Sequence, residues 1–173
     1  MKGSLTVIAG PMFSGKTEEL QRRVRRLAIA GKEIVVFKPI IDNRYSDREI
    51  VSHNKNSVDC ISVNHHNAEV LFGYIDWHNT EIVAIDEVQF FDKEIVSIIE
   101  RFIEMGIHVI VAGLNLDSWN KPFGSMPELL ARADHIEKLS AVCKKCKKEN
   151  ATLSQLLEVN SSTSDHIVVG GKD

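Results

Sequence analysis

Cysteine is scarce in these 173 residues: there are three, at positions 60, 143 and 146. An odd count, in a chain long enough to bury a full core, speaks against a disulfide framework and so against a small secreted scaffold. No window holds the roughly 18 consecutive apolar residues that a membrane-spanning helix needs, so no membrane partner is expected. The opening MKGSLTVIAG has no long apolar segment and no small-residue cleavage site. It runs straight into a strand pattern, which reads as a cytoplasmic chain without a signal peptide. Net positive charge is also missing. With 24 acidic and 21 basic residues the balance is −3 when histidine is neutral, which argues against a broad nucleic-acid-binding face and leaves room only for a local basic patch. No internal repeat is present. What remains is the mix of an ordinary soluble domain, 43% hydrophobic and 26% charged, with room for one small appendage.

Strand and helix patterns alternate along the chain. SLTVIAG (4–10), EIVVFKP (33–39), EIVAI (81–85) and IHVIVAG (107–113) are short apolar runs of the kind buried on both faces of a sheet. Between them, Leu20, Val24, Leu27 and Ala28 mark one face of a helix over 17–30, stopped by Gly31. Arg22, Arg23, Arg25 and Arg26 read as its solvated side. Asp92 is placed to cap a helix that Gly106 ends, and 125–133 reads as another, with Pro127 in its first turn. Residues 58–63 suggest a short strand, 68–75 a helix, and 40–57 a long functional loop. The fold class expected is α/β, a parallel sheet with helices on both faces over 1–140, and a small polar satellite over 141–173.

GPMFSGKT, residues 10–17, fits G-x-x-x-x-G-K-[ST] between a strand and a helix. Gly10 and Gly15 let the backbone wrap, so that the N–H groups of Pro11-to-Thr17 other than proline's (Met12, Phe13, Ser14, Gly15, Lys16, Thr17) can face phosphate oxygens. The helix N-terminus adds partial positive charge. Lys16 is expected at the β- and γ-phosphates and the Thr17 hydroxyl at Mg²⁺. The second site is Asp86-Glu87, just past an apolar strand in IDEVQFF. Adjacent residues there point opposite ways. Asp86 can then attend Mg²⁺ while Glu87 takes a proton from an attacking hydroxyl or from water. Val88 and Gln89 complete the expected nucleotide-binding segment. A GTPase is not expected: EVQ follows Asp86 where D-x-x-G is needed, and NKNS at 54–57 lacks the aspartate of a guanine clamp.

With GPMFSGKT stand DNRY (42–45), His53, IDEVQFF (85–91), KPFG (121–124), AVCKKC (141–146) and VVGG (168–171). In this order and spacing the chain resembles the type II thymidine kinases over essentially its whole length. The resemblance implies transfer of the ATP γ-phosphate to the 5′-hydroxyl of thymidine, with deoxyuridine second, for nucleotide salvage. It implies a RecA-like P-loop domain, a zinc-bearing lasso, a homotetramer and inhibition by thymidine triphosphate; the negative charge balance and the lack of a repeated basic–aromatic pattern add the expectation of no nucleic-acid partner. By position, Glu87 matches the base and Arg44 the arginine that stabilises the transferring phosphoryl group, with Asp42 beside it. Met12, Phe90, Leu114 and Phe123 match residues around the base and sugar; apolar residues at such points are also common as plain core. Val168 and Gly170 match lasso positions whose main chain reads the thymine edge.

The chain also departs from the family pattern. Ser118, followed by Trp119, stands where an aromatic is usual, and Val88 where Gly or Ala is usual, crowding the turn after Glu87. Structural Zn²⁺ takes four ligands. Cys143 and Cys146 supply two, and Cys60 and His166 match no family ligand position. The sequence given ends at Asp173, ahead of the family's second C-x-x-C or C-x-x-H, where the other ligands are expected. A redox pair or two unlinked thiols are the alternatives. Two other functions compete with a nucleoside kinase: a RecA-like ATPase in which Glu87 activates water, and a binding-only remnant.

Overall fold

The computed structural model describes residues 2–41 and 60–155. Asp42, Arg44, His53, His166, Val168 and Gly170 lie outside the described residues. The elements in chain order are β1 (Leu5–Gly10), α1 (Lys16–Ile29), β2 (Ile34–Ile40), β3 (Cys60–Asn64), a 3₁₀ segment (Ala68–Tyr74), β4 (Ile82–Ile85), a 3₁₀ turn (Val88–Phe90), α2 (Ile95–Glu104), β5 (His108–Leu114), α3 (Met126–Arg132) and β6 (His135–Lys138). The six strands form one sheet in the order β3-β2-β4-β5-β1-β6, and every neighbouring pair is parallel. All carboxyl ends therefore open on one side, where an α/β sheet places its ligand crevice. Register aligns the ends that matter: Gly10 lies beside Leu114, and Ile85 beside Val111.

Both faces of the sheet are covered, which is why the inner strands are apolar without alternation. On one face Leu20 and Val24 of α1 pack on Ile8, Val36, Ala84, Ile110 and Ala112. On the other, Ile95, Ile98, Ile99 and Phe102 of α2, with Leu71, Met126 and Leu129, cover Val7, Phe37, Val83, Ile85, Val109 and Val111.

Four local readings change. Residues 68–74 wind as 3₁₀, with Ala68 and Leu71 buried at the three-residue spacing of that helix. Asp92 does not cap α2 through its carboxylate. Its main-chain carbonyl accepts from Ile95 N–H, while the carboxylate faces His66 at 3.4 Å. The stretch HIEK carries no strand signal in sequence yet forms β6, the edge strand beside β1. Asp134 holds it there: its carboxylate accepts from Leu5 N–H at 2.8 Å. Arg23 of α1 also ion-pairs with Glu137 of β6, so one of the arginines read as solvated ties the helix to the edge.

After β6 the chain makes a small hairpin. Ala141 and Ala151 exchange main-chain bonds, and Cys143 N–H donates to Lys148 O. Cys143 and Cys146 sit in its turn.

Candidate active site

β1 delivers Gly10 to the start of the phosphate-binding loop. A Cβ there would lie 2.7 Å from Ser14 Oγ and 2.8 Å from Leu139 O, so only glycine lets the loop close this tightly. Gly15 takes φ +85° and starts α1. Ser14 Oγ donates to Pro11 O at 2.8 Å, and Lys16 Nζ donates to the same carbonyl at 2.7 Å. The Lys16 ammonium is buried. Burial pulls its pKa down, opposed by the nearby charges of Glu87 and Asp86.

β4 delivers Asp86, which is 6% exposed. Asp86 Oδ2 accepts from the Thr17 hydroxyl at 2.8 Å, and Oδ1 from Glu87 N–H at 3.0 Å. Burial, then the neighbouring Glu87 charge, pushes the Asp86 carboxyl up to about 6, against the pull of those two hydrogen bonds and of Lys16. An oxygen-only pair of hydroxyl and desolvated carboxylate is the donor chemistry that a hard cation takes, so these residues fit Mg²⁺. Glu87 stands at φ 50°, ψ 40°, in the left-handed region that non-glycine residues rarely occupy. Its carboxylate accepts from Gln89 Nε2 at 2.5 Å.

Val88 is fully buried. A Cβ on Gly113 would come within 3.1 Å of Val88 Cγ1, so the missing side chain at Gly113 accommodates the extra bulk in the turn. The side chains of Val88 and Gln89 thus go to Gly113 and Leu114.

β5 brings Leu114 to the same rim. The loop after it is closed by a Leu116–Pro122 bridge and by Asp117, whose carboxylate accepts from Trp119 and Lys121 N–H. Trp119 is 48% exposed on that turn. Phe123 returns to meet Phe90 edge-on, ring centroids 5.5 Å apart. Met12, Phe90, Leu114 and Phe123 are all half-buried, as residues lining a cleft are.

Two contacts at this site carry no sequence signal. Ser154, beyond the cysteine hairpin, accepts from Met12 N–H at 2.9 Å. Lys144 Nζ lies 4.5 Å from the ring centroid of Phe13, itself 54% exposed and at φ 60°. Ser154→Ala leaves the Met12 amide without its acceptor. It is expected to cost about 0.5–1.5 kcal/mol of stability and to speed exchange at the Met12 amide. Hydrogen–deuterium exchange checks this; an unchanged Met12 rate contradicts it.

The cysteines do not assemble into one cluster. Cys60 is on β3, at the opposite edge of the sheet from β6 and the hairpin, and burial pushes its thiol up to about 11. Cys143 is held below the usual thiol range by the Cys146 N–H and then by the Cys146 thiol. Among the described residues no three His, Cys, Asp or Glu side chains gather to hold a metal, and no helix is long and apolar enough to cross a membrane.

A phosphate cradle on β1, a hydroxyl–carboxylate pair joining it to β4, and a second carboxylate on the next residue are the parts of a phosphoryl-transfer site. The family model for thymidine kinase matches residues 3–173. The chain therefore belongs to the type II thymidine kinase family and is a phosphotransferase.

Proposed function

We propose that the protein transfers the γ-phosphate of ATP to the 5′-hydroxyl of thymidine, with deoxyuridine a weaker acceptor, in nucleotide salvage. The observation that carries this reading is the Thr17–Asp86 bond at the mouth of the cradle with Glu87 as the next residue. The loop amides and Lys16 bind and orient the phosphates. Thr17 and Asp86 hold Mg²⁺, which when bound neutralises phosphate charge. Glu87 accepts the proton of the 5′-hydroxyl as its oxygen bonds to the γ-phosphorus. The bond from that phosphorus to the β,γ-bridging oxygen breaks, and ADP leaves. Arg44 supplies planar positive charge to the transferring group, with Asp42 on the same loop. Met12, Phe90, Leu114 and Phe123 enclose base and sugar, and the main chain at Val168 and Gly170 reads the thymine edge.

The residues from 141 onward form the substrate-closing lasso of this reading. Cys143 and Cys146 fit half of a structural Zn²⁺ site, one thiol already lowered. A homotetramer, inhibition by thymidine triphosphate and a cytoplasmic location belong to the same reading and are supported by the family resemblance.

A steady-state ADP-release assay tests the acceptor. ATP turnover is expected to depend on thymidine and to be unmoved by single-stranded DNA. A methyl-shaped pocket gives thymidine an advantage over deoxyuridine of about 10- to 200-fold in kcat/KM. Turnover stimulated by DNA and indifferent to thymidine would identify a water-activating ATPase instead.

A further inference from the structure

Gln89 is 2% exposed, and a buried amide needs both of its ends satisfied. Leu114 N–H can only donate, so the Gln89 oxygen must face it, at 3.0 Å. The amide nitrogen is thereby turned to the Glu87 carboxylate, which it reaches at 2.5 Å. The orientation follows from the partners and leaves no alternative flip.

Two glycines make this bridge possible. A Cβ on Gly113 would stand 2.6 Å from Gln89 Oε1, and a Cβ on Gly124 would stand 2.2 Å from Gln89 O. Gly124 also sits at φ +51°. Gln89 is thus clamped between the end of β5 and the end of the loop that carries Phe123. Glu87, two residues away, depends on an uncommon left-handed turn for its direction.

We propose that Gln89 is a positioning residue: its amide fixes the Glu87 carboxylate toward the acceptor hydroxyl and ties that placement to the Leu114–Gly124 loop. This rests on the reading of Glu87 as the base. A group that only aims another group acts on turnover more than on binding, and a displacement of about 1 Å at a reacting centre can cost on the order of 100-fold.

The test is a double-mutant cycle on the full chain, with thymidine monophosphate formation as readout. Gln89→Met keeps the length and loses both hydrogen bonds. Gln89→Glu keeps an acceptor for Leu114 N–H but sets a second carboxyl against the Glu87 carboxylate, so the pair shares one proton and the kcat–pH profile is expected to shift to higher pH. Both are expected to lower kcat by about 10- to 100-fold, with KM for ATP and for thymidine within about threefold of wild type. In a Glu87→Gln background, adding Gln89→Met is expected to change the residual kcat by less than about twofold, because its route of action is already gone. Equal losses in both backgrounds, near-wild-type kcat in Gln89→Met, or an unshifted kcat–pH profile in Gln89→Glu overturn the positioning role. A wild-type chain that makes no thymidine monophosphate overturns instead the reading on which that role rests.

Discussion

Replacing Glu87 by Gln is expected to remove most turnover, about 10²- to 10⁴-fold in kcat, the range for loss of a positioned general base. ATP affinity is expected to stay within about threefold, because the substituted amide has the carboxylate's shape. The Gln89 amide keeps an oxygen to donate to, and the cradle of Gly10, Gly15, Lys16 and Thr17 is untouched. The separation of kcat from ATP binding is the informative part. Loss of both together would place Glu87 in nucleotide binding, and near-wild-type turnover would remove it from the chemistry. Stopped-flow or quench kinetics with a parallel ATP titration give both numbers.

Asp86→Asn should move activity and stability in opposite directions. The Asp86 carboxyl, pushed up to about 6 by burial first and by Glu87 second, binds its proton more tightly in the folded chain than in the unfolded one. Above pH 6 the ionised group therefore costs stability. As pH falls from 7 toward 4 it protonates in the folded state and that cost disappears. Asn keeps both hydrogen bonds within reach, since its oxygen accepts from Glu87 N–H and its amide can donate to the Thr17 hydroxyl, now acting as acceptor. In chelator-washed, nucleotide-free protein at pH 7.5, the variant is expected to be more stable by about 1–3 kcal/mol. The difference should shrink on approaching pH 4. Turnover should fall by at least about 10²-fold, because the hard-cation ligand is lost. A variant less stable than wild type at pH 7.5 would show that the buried charge stabilises the fold. Thermal melts across pH decide the point.

The two chemical centres were legible because each has a local cause. GPMFSGKT needs its glycines at fixed places to wrap a phosphate, and Asp86-Glu87 needs an apolar strand before it. The inner strands were legible because burial on both faces leaves an unbroken apolar run. β6 was not, because an edge strand with Glu137 paired to Arg23 and Asp134 bonded to Leu5 carries polar residues where a buried strand carries apolar ones. The bridge made by Gln89 was equally hidden. It exists only because Gly113 and Gly124, both distant in sequence, bring their backbones against it. Ser154 reaches Met12 across 142 positions, and nothing local to NATLSQ announces that contact. Asp92 shows the opposite failure: a good capping residue whose carboxylate found His66 instead.

The most direct measurement is product identity. Wild-type protein is incubated with ATP, Mg²⁺ and thymidine, and the nucleotides are resolved by mass spectrometry against time. The expected result is thymidine 5′-monophosphate appearing in equal amount with ADP, with no product when Mg²⁺ is chelated. ADP appearing with inorganic phosphate and no thymidine monophosphate would contradict phosphoryl transfer to the nucleoside.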